Sequence, residues 1–279
     1  MGYATIVVQA DADDDGRDRI GLAAALAQQF DATLVGVAAR DLVPMLTMPG
    51  SKAGIGVLFL AAEQEVHASL AAAKRQFHDV TDHRQQRVVW RSTVADPTST
   101  LTAEARTADL IVVGRRLEHA DTRRSRHPDP GNVLMRAGRP VLVVPPGSSH
   151  LDLHQRVVVA WKDSLEARRA VVDALPFLTR ASSVLVVQVC RTDTERQLAE
   201  AAVQEIVVYL SEHGVRAIGN AKLLREASVS AELLVAAEQH HAELIVAGGY
   251  AHSRLQEWVF GGVTNTLLGH STKCCLLSH

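Results

Sequence analysis

Aromatic residues are scarce in this sequence: Phe, Trp and Tyr together make up 4% of its 279 residues. Hydrophobic residues still account for 47% of the chain, so any core must be built mainly from Val, Leu, Ala and Ile. Such cores are typical of parallel strands that helices cover on both faces. The length suits two domains of roughly 100–200 residues each.

Cysteine is scarce too, and Cys190, Cys274 and Cys275 include no pair with Cys-x-x-Cys spacing. The sequence therefore lacks a disulfide framework and a cysteine-type zinc motif. Cys274 and Cys275 lie in a predicted final strand, where successive side chains point to opposite faces. We expect ordinary buried thiols, one on each face of the sheet.

A surplus of one charge is also missing, since the formal net charge is −2 and the pI is about 6.7. This balance gives no reason to expect nucleic acid or a membrane surface as a partner. The N-terminus lacks the pattern of a signal peptide, and no apolar run approaches the roughly 18 residues that span a bilayer. We expect a cytoplasmic protein.

Catalytic signatures are lacking as well: there is no G-x-S-x-G motif, no G-x-x-x-x-G-K-[ST] loop and no G-x-G-x-x-G fingerprint. His150 and His154 lie in a turn-rich linker without a third ligand nearby in sequence, so we expect no metal site there. We therefore assign no catalytic residue, and turnover is not expected.

The chain repeats itself. "ADLIVVGRR", from Ala108, matches "AELIVAGGY", from Ala242, and a second pair of similar stretches begins at Thr5 and at Arg156. Self-similarity of this kind indicates two copies of one unit. We place the first domain at residues 1–147 and the second at 154–279, on either side of the linker.

Within each unit, short apolar strands alternate with helical segments. The predicted strands are Ala4–Gln9, Thr33–Val37, Arg87–Arg91, Leu110–Val113, Val141–Val144, Arg156–Trp161, Ser183–Val189, Arg216–Leu223, Leu244–Ala247 and Cys274–Leu277. Strand–helix–strand order indicates parallel pairing with right-handed crossovers. The predicted fold class is α/β: two tandem Rossmann-like (doubly wound) domains, each a five-stranded, mostly parallel sheet flanked by helices.

Ligands of such sheets bind at the carboxyl ends of the strands. There, after the fourth strand of the second half, comes "GGYAHSRLQEWVFGGVTNTLL", from Gly248 to Leu268. Glycines allow close approach of a backbone to a ligand, and a helix that begins after Gly261 and Gly262 would direct its amino terminus at a phosphate. The stretch resembles the nucleotide loop of the universal stress protein family: glycine, two residues, glycine, nine residues, then glycine and a serine or threonine.

The match to that loop is partial. Gly248 and Gly261 fit the pattern, whereas Ala251 replaces the second glycine and Gly262 replaces the hydroxyl residue, with Thr264 as a substitute hydroxyl. The family's usual aspartate after the first strand is replaced by Lys162, which can reach a phosphate but cannot accept hydrogen bonds from a ribose. The resemblance implies these nucleotide-binding residues: Ala160, Trp161, Lys162, Gly248, Gly249, His252, Arg254, Gly261, Gly262, Val263 and Thr264.

The resemblance covers nearly the whole chain, as a tandem pair. It implies a stress-response protein that binds ATP or a related nucleotide through its second half, with Mg only through the bound nucleotide, and that acts on an unknown protein partner. It also implies an intramolecular pseudo-dimer, or a homodimer, in which the last strands meet edge to edge. We expect two sheets related by a pseudo-twofold axis rather than one continuous sheet. The alternatives are a nucleotide-independent interaction module and a weak ATPase.

The first half fits a nucleotide site poorly. Gly114 is followed by no second glycine at the family spacing, and the interval to Pro130 and Gly131 is too long. Five arginines and two histidines between Arg115 and His127 predict a solvated charged loop, with an anionic partner as the alternative. We interpret the acids of Asp11–Asp18 as the first turn of a helix, because the aspartate and lysine that a receiver domain needs elsewhere are missing.

Overall fold

The computed structural model describes residues 2–42, 52–82, 87–115, 127–249 and 262–279, and for residues 52–58 the backbone alone. Its elements, in chain order, are β1 Thr5–Gln9, α1 Asp14–Phe30, β2 Thr33–Arg40, α2 Lys52–Thr81, β3 Val88–Val94, α3 Pro97–Glu104, a 3-10 turn at Ala105–Thr107, β4 Leu110–Gly114, α4 Pro130–Ala137, β5 Val141–Val144, β6 Arg156–Ala160, α5 Leu165–Leu178, β7 Ser183–Cys190, α6 Asp193–Glu212, β8 Ala217–Leu223, α7 Val229–Gln239, β9 Ala242–Gly248, α8 Gly262–His270 and β10 Cys274–Ser278. All ten predicted strands are present, with ends shifted by at most three residues.

The strands lie in the order β3-β2-β1-β4-β5-β10-β9-β6-β7-β8. Pairing is parallel within each half and antiparallel where β5 meets β10, with Val143 opposite Cys275 and Val141 opposite Leu277. The α/β fold class and the adjacent last strands are confirmed. The expectation of two separate sheets is wrong, because backbone pairing at this seam joins both halves into one ten-stranded sheet and covers two edges that would otherwise be open.

Each face of the sheet carries its own hydrophobic core. One core lies against α1, α2, α5 and α6 and includes Cys274 and Leu276, and the other lies against α3, α4, α7 and α8 and includes Cys275 and Leu277. The two adjacent thiols thus face opposite cores, as predicted. Burial raises the pKa of Cys274 and of Cys275 to about 12.

Aromatic residues are few, but three of them join the halves. The ring of Phe177, on α5 of the second half, lies 5.7 Å from Tyr3 and 5.4 Å from Phe30 of the first half, between ring centroids. The guanidinium of Arg180 lies 4.5 Å above the centre of Phe30. Because edge-to-face rings and cation–π contacts are stabilising, these side chains fix α5 against the first half.

Side-chain caps set the helix starts. The Asp13 carboxylate accepts a hydrogen bond from the Gly16 amide at 2.6 Å, and Asp14 and Asp15 lie in the first turn of α1, which bears out that part of the acidic-cluster interpretation. The sequence did not predict α3 and α4. Both begin with an Asp-Pro pair, in which the aspartate caps the helix and the proline lies in its first turn.

None of the helices in the described ranges is long and apolar enough to cross a membrane.

Candidate functional site

The carboxyl end of β1 carries a buried carboxylate, Asp11, which is 1% exposed. Its Oδ2 accepts a hydrogen bond from Arg19 Nη2 at 2.8 Å, and its Oδ1 accepts one from Arg40 Nη2 at 2.7 Å. Gln9 donates to Oδ2 as well, and His127 Nδ1 lies 3.3 Å from the same oxygen. Four side chains, from β1, α1, β2 and the segment before α4, therefore converge on one carboxyl group.

The protonation of Asp11 follows from these partners. Burial by itself raises the pKa of a carboxyl group, but the hydrogen bond from His127 and the positive charges of Arg19 and Arg40 outweigh it and hold the pKa of Asp11 well below its ordinary value. Asp11 is therefore ionised at neutral pH. Two guanidinium groups face one carboxylate, so these three groups together carry a net positive charge.

This cluster also reaches the end of β4, where the Gly114 amide donates to Gln9 Oε1 at 3.0 Å. A methyl group added to Gly114, at the end of β4, would lie 2.6 Å from Arg19 Nη1. Asp11, Asp13 and His127 bring potential metal-ligand atoms within 4.8 Å of one another. However, the Asp11 oxygens are already engaged by arginines, which repel a cation, so the arrangement fits an internal ion cluster better than a metal centre.

The second half differs at the corresponding positions. The Trp161 amide donates to the Val187 carbonyl as the Ala10 amide donates to Val37, so Lys162 takes the place of Asp11. Ala160 is half-buried, Trp161 is buried at 5% exposure and Lys162 is exposed. Among the described residues at this strand end, the buried carboxylate and its ring of cations therefore have no counterpart, and an exposed lysine stands at the Asp11 position.

The glycines at the end of β9 are explained first by packing. A methyl group on Gly248 would lie 2.5 Å from the backbone nitrogen of Ala167, at the start of α5. A methyl group on Gly249 would lie 2.6 Å from Cδ2 of Leu134, on α4 of the first half, and the Gly249 amide already donates to the Ser278 carbonyl at 2.8 Å. The Gly249 amide therefore belongs to the pairing of β9 with β10 and does not point to a ligand.

The start of α8 is the remaining part of the predicted site. Gly262 is exposed, Val263 is half-buried, and Thr264 is buried at 5% exposure. Within the described part of the chain, no atom lies within 4 Å of a methyl group added to Gly262. The predicted residues His252, Arg254 and Gly261, together with Ala251, lie outside the described residues.

Sequence reasoning missed the ion cluster, although two signals were available. Alignment of the two units places Asp11 at the Lys162 position, where the family carries its aspartate. The interval from Gly114 to His127 also equals the interval from Gly248 to Gly261, so a histidine stands in the first half where the second half has its glycine. Arg115 and His127, at the ends of the basic stretch, both make contacts, and the residues between them lie outside the described ranges.

The fold and the paired strand-end crevices define a tandem α/β protein of the doubly wound class. The model of the universal stress protein family matches residues 2–145 and 154–279. The chain therefore belongs to the universal stress protein family.

Solved structures share this architecture at low sequence identity. A universal stress protein from Archaeoglobus fulgidus DSM 4304 is 12% identical, with a TM-score of 0.69, and the match covers 98% of this chain and 95% of that one. A protein of unknown function from Pseudomonas aeruginosa PAO1 is 14% identical, with a TM-score of 0.59 and coverage of 99% and 92%. A putative universal stress protein from Pseudomonas aeruginosa UCBPP-PA14 is 13% identical, with a TM-score of 0.57 and coverage of 99% and 93%. No curated protein sequence is significantly similar to the chain.

Proposed function

We propose that this protein is a cytoplasmic stress-response protein that binds ATP or a related nucleotide through its second half and acts by regulatory interaction with a protein partner. The nucleotide is the ligand, and Mg enters only with its phosphates. In this proposal the first half, residues 1–147, does not bind a nucleotide, and the second half, residues 154–279, does.

The observation that carries the proposal is the difference between the two strand-end sites. In the first half, Arg19 lies against Gly114 and, with Arg40 and His127, closes around Asp11. In the second half, an exposed Lys162 stands at the Asp11 position, and the exposed start of α8 offers amide donors and the positive end of a helix dipole. A cation and a helix amino terminus suit a phosphorylated ligand.

The packing of Gly248 and Gly249 favours the second candidate function, a nucleotide-independent interaction module. Gly248 is required by its close approach to the backbone of α5, and Gly249 lies against the Leu134 side chain of α4, so the two glycines do not by themselves demand a ligand. The two candidates differ in one measurable property, which is whether the purified protein carries or takes up a nucleotide. A weak ATPase is the third possibility, and measured phosphate release separates it from binding alone.

The first experiment is mass spectrometry of small molecules released when the purified protein is denatured, followed by calorimetric titration with ATP, ADP and AMP. Lys162→Ala should weaken ATP binding about tenfold or more, since a lost charge-assisted hydrogen bond is worth about 1.5–3 kcal/mol. The matched control is Lys74→Ala, which removes an exposed lysine on α2 and should leave affinity unchanged.

Two further variants test the loop itself. Gly261→Val should weaken binding about tenfold or more, because its side chain would occupy the space that the phosphate needs. Ala251→Gly combined with Gly262→Ser should tighten binding. No released nucleotide, and no heat with any of the three nucleotides at millimolar concentration in the parent or the double variant, would refute the proposal and leave the interaction module.

A further inference from the structure

The linker between the two halves presents two histidines and an aspartate to solvent. His150, Asp152 and His154 are exposed. Leu151 and Leu153, which alternate with them, are 1% and 3% exposed and belong to the core that lies against α1 and α5. Because alternate residues of an extended chain point to opposite sides, the buried leucines anchor the segment and leave three potential metal ligands facing outward.

Two of these ligands already lie next to each other. His154 Nδ1 lies 3.5 Å from Asp152 Oδ1. Two ligand atoms that are each about 2.0–2.2 Å from one tetrahedral metal ion are about 3.3–3.6 Å apart, so this separation suits a shared ion. The His154 amide donates to Asp152 Oδ1 at 2.9 Å, and the Gln155 amide donates to the Asp152 carbonyl. These two hydrogen bonds fix the turn that holds the pair.

His150 supplies the third ligand. It precedes Asp152 by two residues, so the two Cα atoms are at most about 7 Å apart, and an exposed imidazole can rotate to reach the same ion. Three residues separate His150 from His154, a spacing that histidine pairs of zinc sites use. The expectation of no metal site in the linker rested on the lack of a third ligand, which Asp152 provides.

The charges at this turn suit a cation. The hydrogen bond from the His154 amide, together with the nearby His154 and His150 rings, lowers the pKa of Asp152, so its carboxylate is ionised at neutral pH. Among the described residues, His154 is the one ion-pair partner of Asp152. In the ion cluster of the first half, by contrast, two arginines occupy the oxygens of Asp11. A metal ion at the linker therefore meets no arginine bound to its carboxylate ligand.

We propose that His150, Asp152 and His154 bind one divalent transition-metal ion in the linker, with Zn²⁺ as the test ion. Imidazole nitrogens suit Zn²⁺, Cu²⁺ and Ni²⁺, whereas Mg²⁺ and Ca²⁺ take oxygen ligands. Three protein ligands leave the fourth position of a tetrahedral ion to water. The bound ion braces the turn that leads into β6, independently of any nucleotide.

The test is calorimetric titration of the full-length, metal-free protein with ZnCl₂ in the presence of millimolar Mg²⁺. The linker double variant, His150→Ala combined with His154→Ala, should bind Zn²⁺ at least about tenfold more weakly than the parent, since losing even an outer-shell partner of a metal site costs about 10–100-fold. Asp152→Asn should also weaken binding. It keeps an oxygen that accepts from the His154 amide, so the turn is preserved.

The matched control is His67→Ala combined with His213→Ala, which removes two exposed histidines, one on α2 and one at the end of α6. Its Zn²⁺ affinity should equal that of the parent. A second readout is thermal unfolding, because an ion that binds the folded state raises the midpoint. Zn²⁺ should raise the midpoint of the parent and of the control variant but not that of the linker double variant.

Three results would overturn the proposal. The first is equal Zn²⁺ affinity in the parent and the linker double variant. The second is a loss of affinity in the control variant as large as in the linker variant, which would indicate adventitious binding to surface histidines only. The third is displacement of Zn²⁺ by millimolar Mg²⁺, which would indicate a site made of oxygen ligands elsewhere in the protein.

Discussion

Removing the Asp11 carboxylate should destabilise this protein more than removing any acid of the α1 surface. Asp11→Ala leaves the guanidinium groups of Arg19 and Arg40 without their counter-charge, at side-chain exposures of only 5% and 11%. Taking away one partner of a buried ion pair costs about 3–5 kcal/mol, because the remaining charge stays desolvated and uncompensated. We expect a loss of that size in the free energy of unfolding.

The assay is urea denaturation at pH 7 monitored by circular dichroism. The urea midpoints of the variants are compared where the dependence of the unfolding free energy on urea concentration is the same. Asp14→Ala is the control, since Asp14 is exposed in the first turn of α1 and favourable only through the helix dipole, which is worth about 0.3–1 kcal/mol. Arg19→Met combined with Asp11→Ala should lose less than the sum of the single changes, because the second change removes the charge that the first leaves unpaired.

The pH dependence gives a second check. The pKa of Asp11 is lowered in the folded state, so its contribution to stability is fully present above the unfolded value, about 3.9, and is lost as the pH falls through the lower folded value. The difference between parent and Asp11→Ala should thus be constant from pH 7 to about pH 4 and shrink below it. A loss no larger than that of Asp14→Ala, or a difference that grows in acid, would refute the reasoning.

Two further predictions concern buried groups of the second half. The Glu232 carboxylate accepts hydrogen bonds from Lys222 Nζ at 2.9 Å and from two backbone amides of the loop before α7. Glu232→Gln should therefore lower the free energy of unfolding, measured by urea denaturation, by about 1–3 kcal/mol. Glu205→Gln, at an exposed position of α6, is the control and should change it little. Cys274 and Cys275, whose pKa burial raises to about 12, should resist a thiol reagent at pH 8 in the native protein and react at once in denaturant; rapid native labelling would contradict the burial of these thiols.

Local patterns determined most of the fold. Apolar runs of strand length, separated by segments with helical periodicity, predicted the position of every strand. The similar stretches that begin at Thr5 and at Arg156 indicated two copies of one unit. Alternation along β10 was enough to assign Cys274 and Cys275 to opposite faces. These inferences succeed because side-chain direction in a strand depends on neighbouring residues alone.

The character of the site was decided by residues far apart in sequence. No residue near Asp11 in sequence predicts that Arg40 and His127, 29 and 116 positions away, contact its carboxylate. Asp11 was therefore interpreted as part of the first turn of a helix and not as the centre of a buried ion cluster. Gly249 fits a ligand loop in sequence, but it also lies against the Leu134 side chain of the other half, a contact that only the tertiary structure reveals.

The sequence by itself thus determined the strands, the repeat and the family of this protein, since these depend on local periodicity and spacing. Only the tertiary structure decided that the halves share one sheet, that cations of the first half surround the Asp11 carboxylate, and that α4 lies against the end of β9. Each of these depends on which distant groups meet and on whether their charges and volumes fit, and no local pattern encodes that.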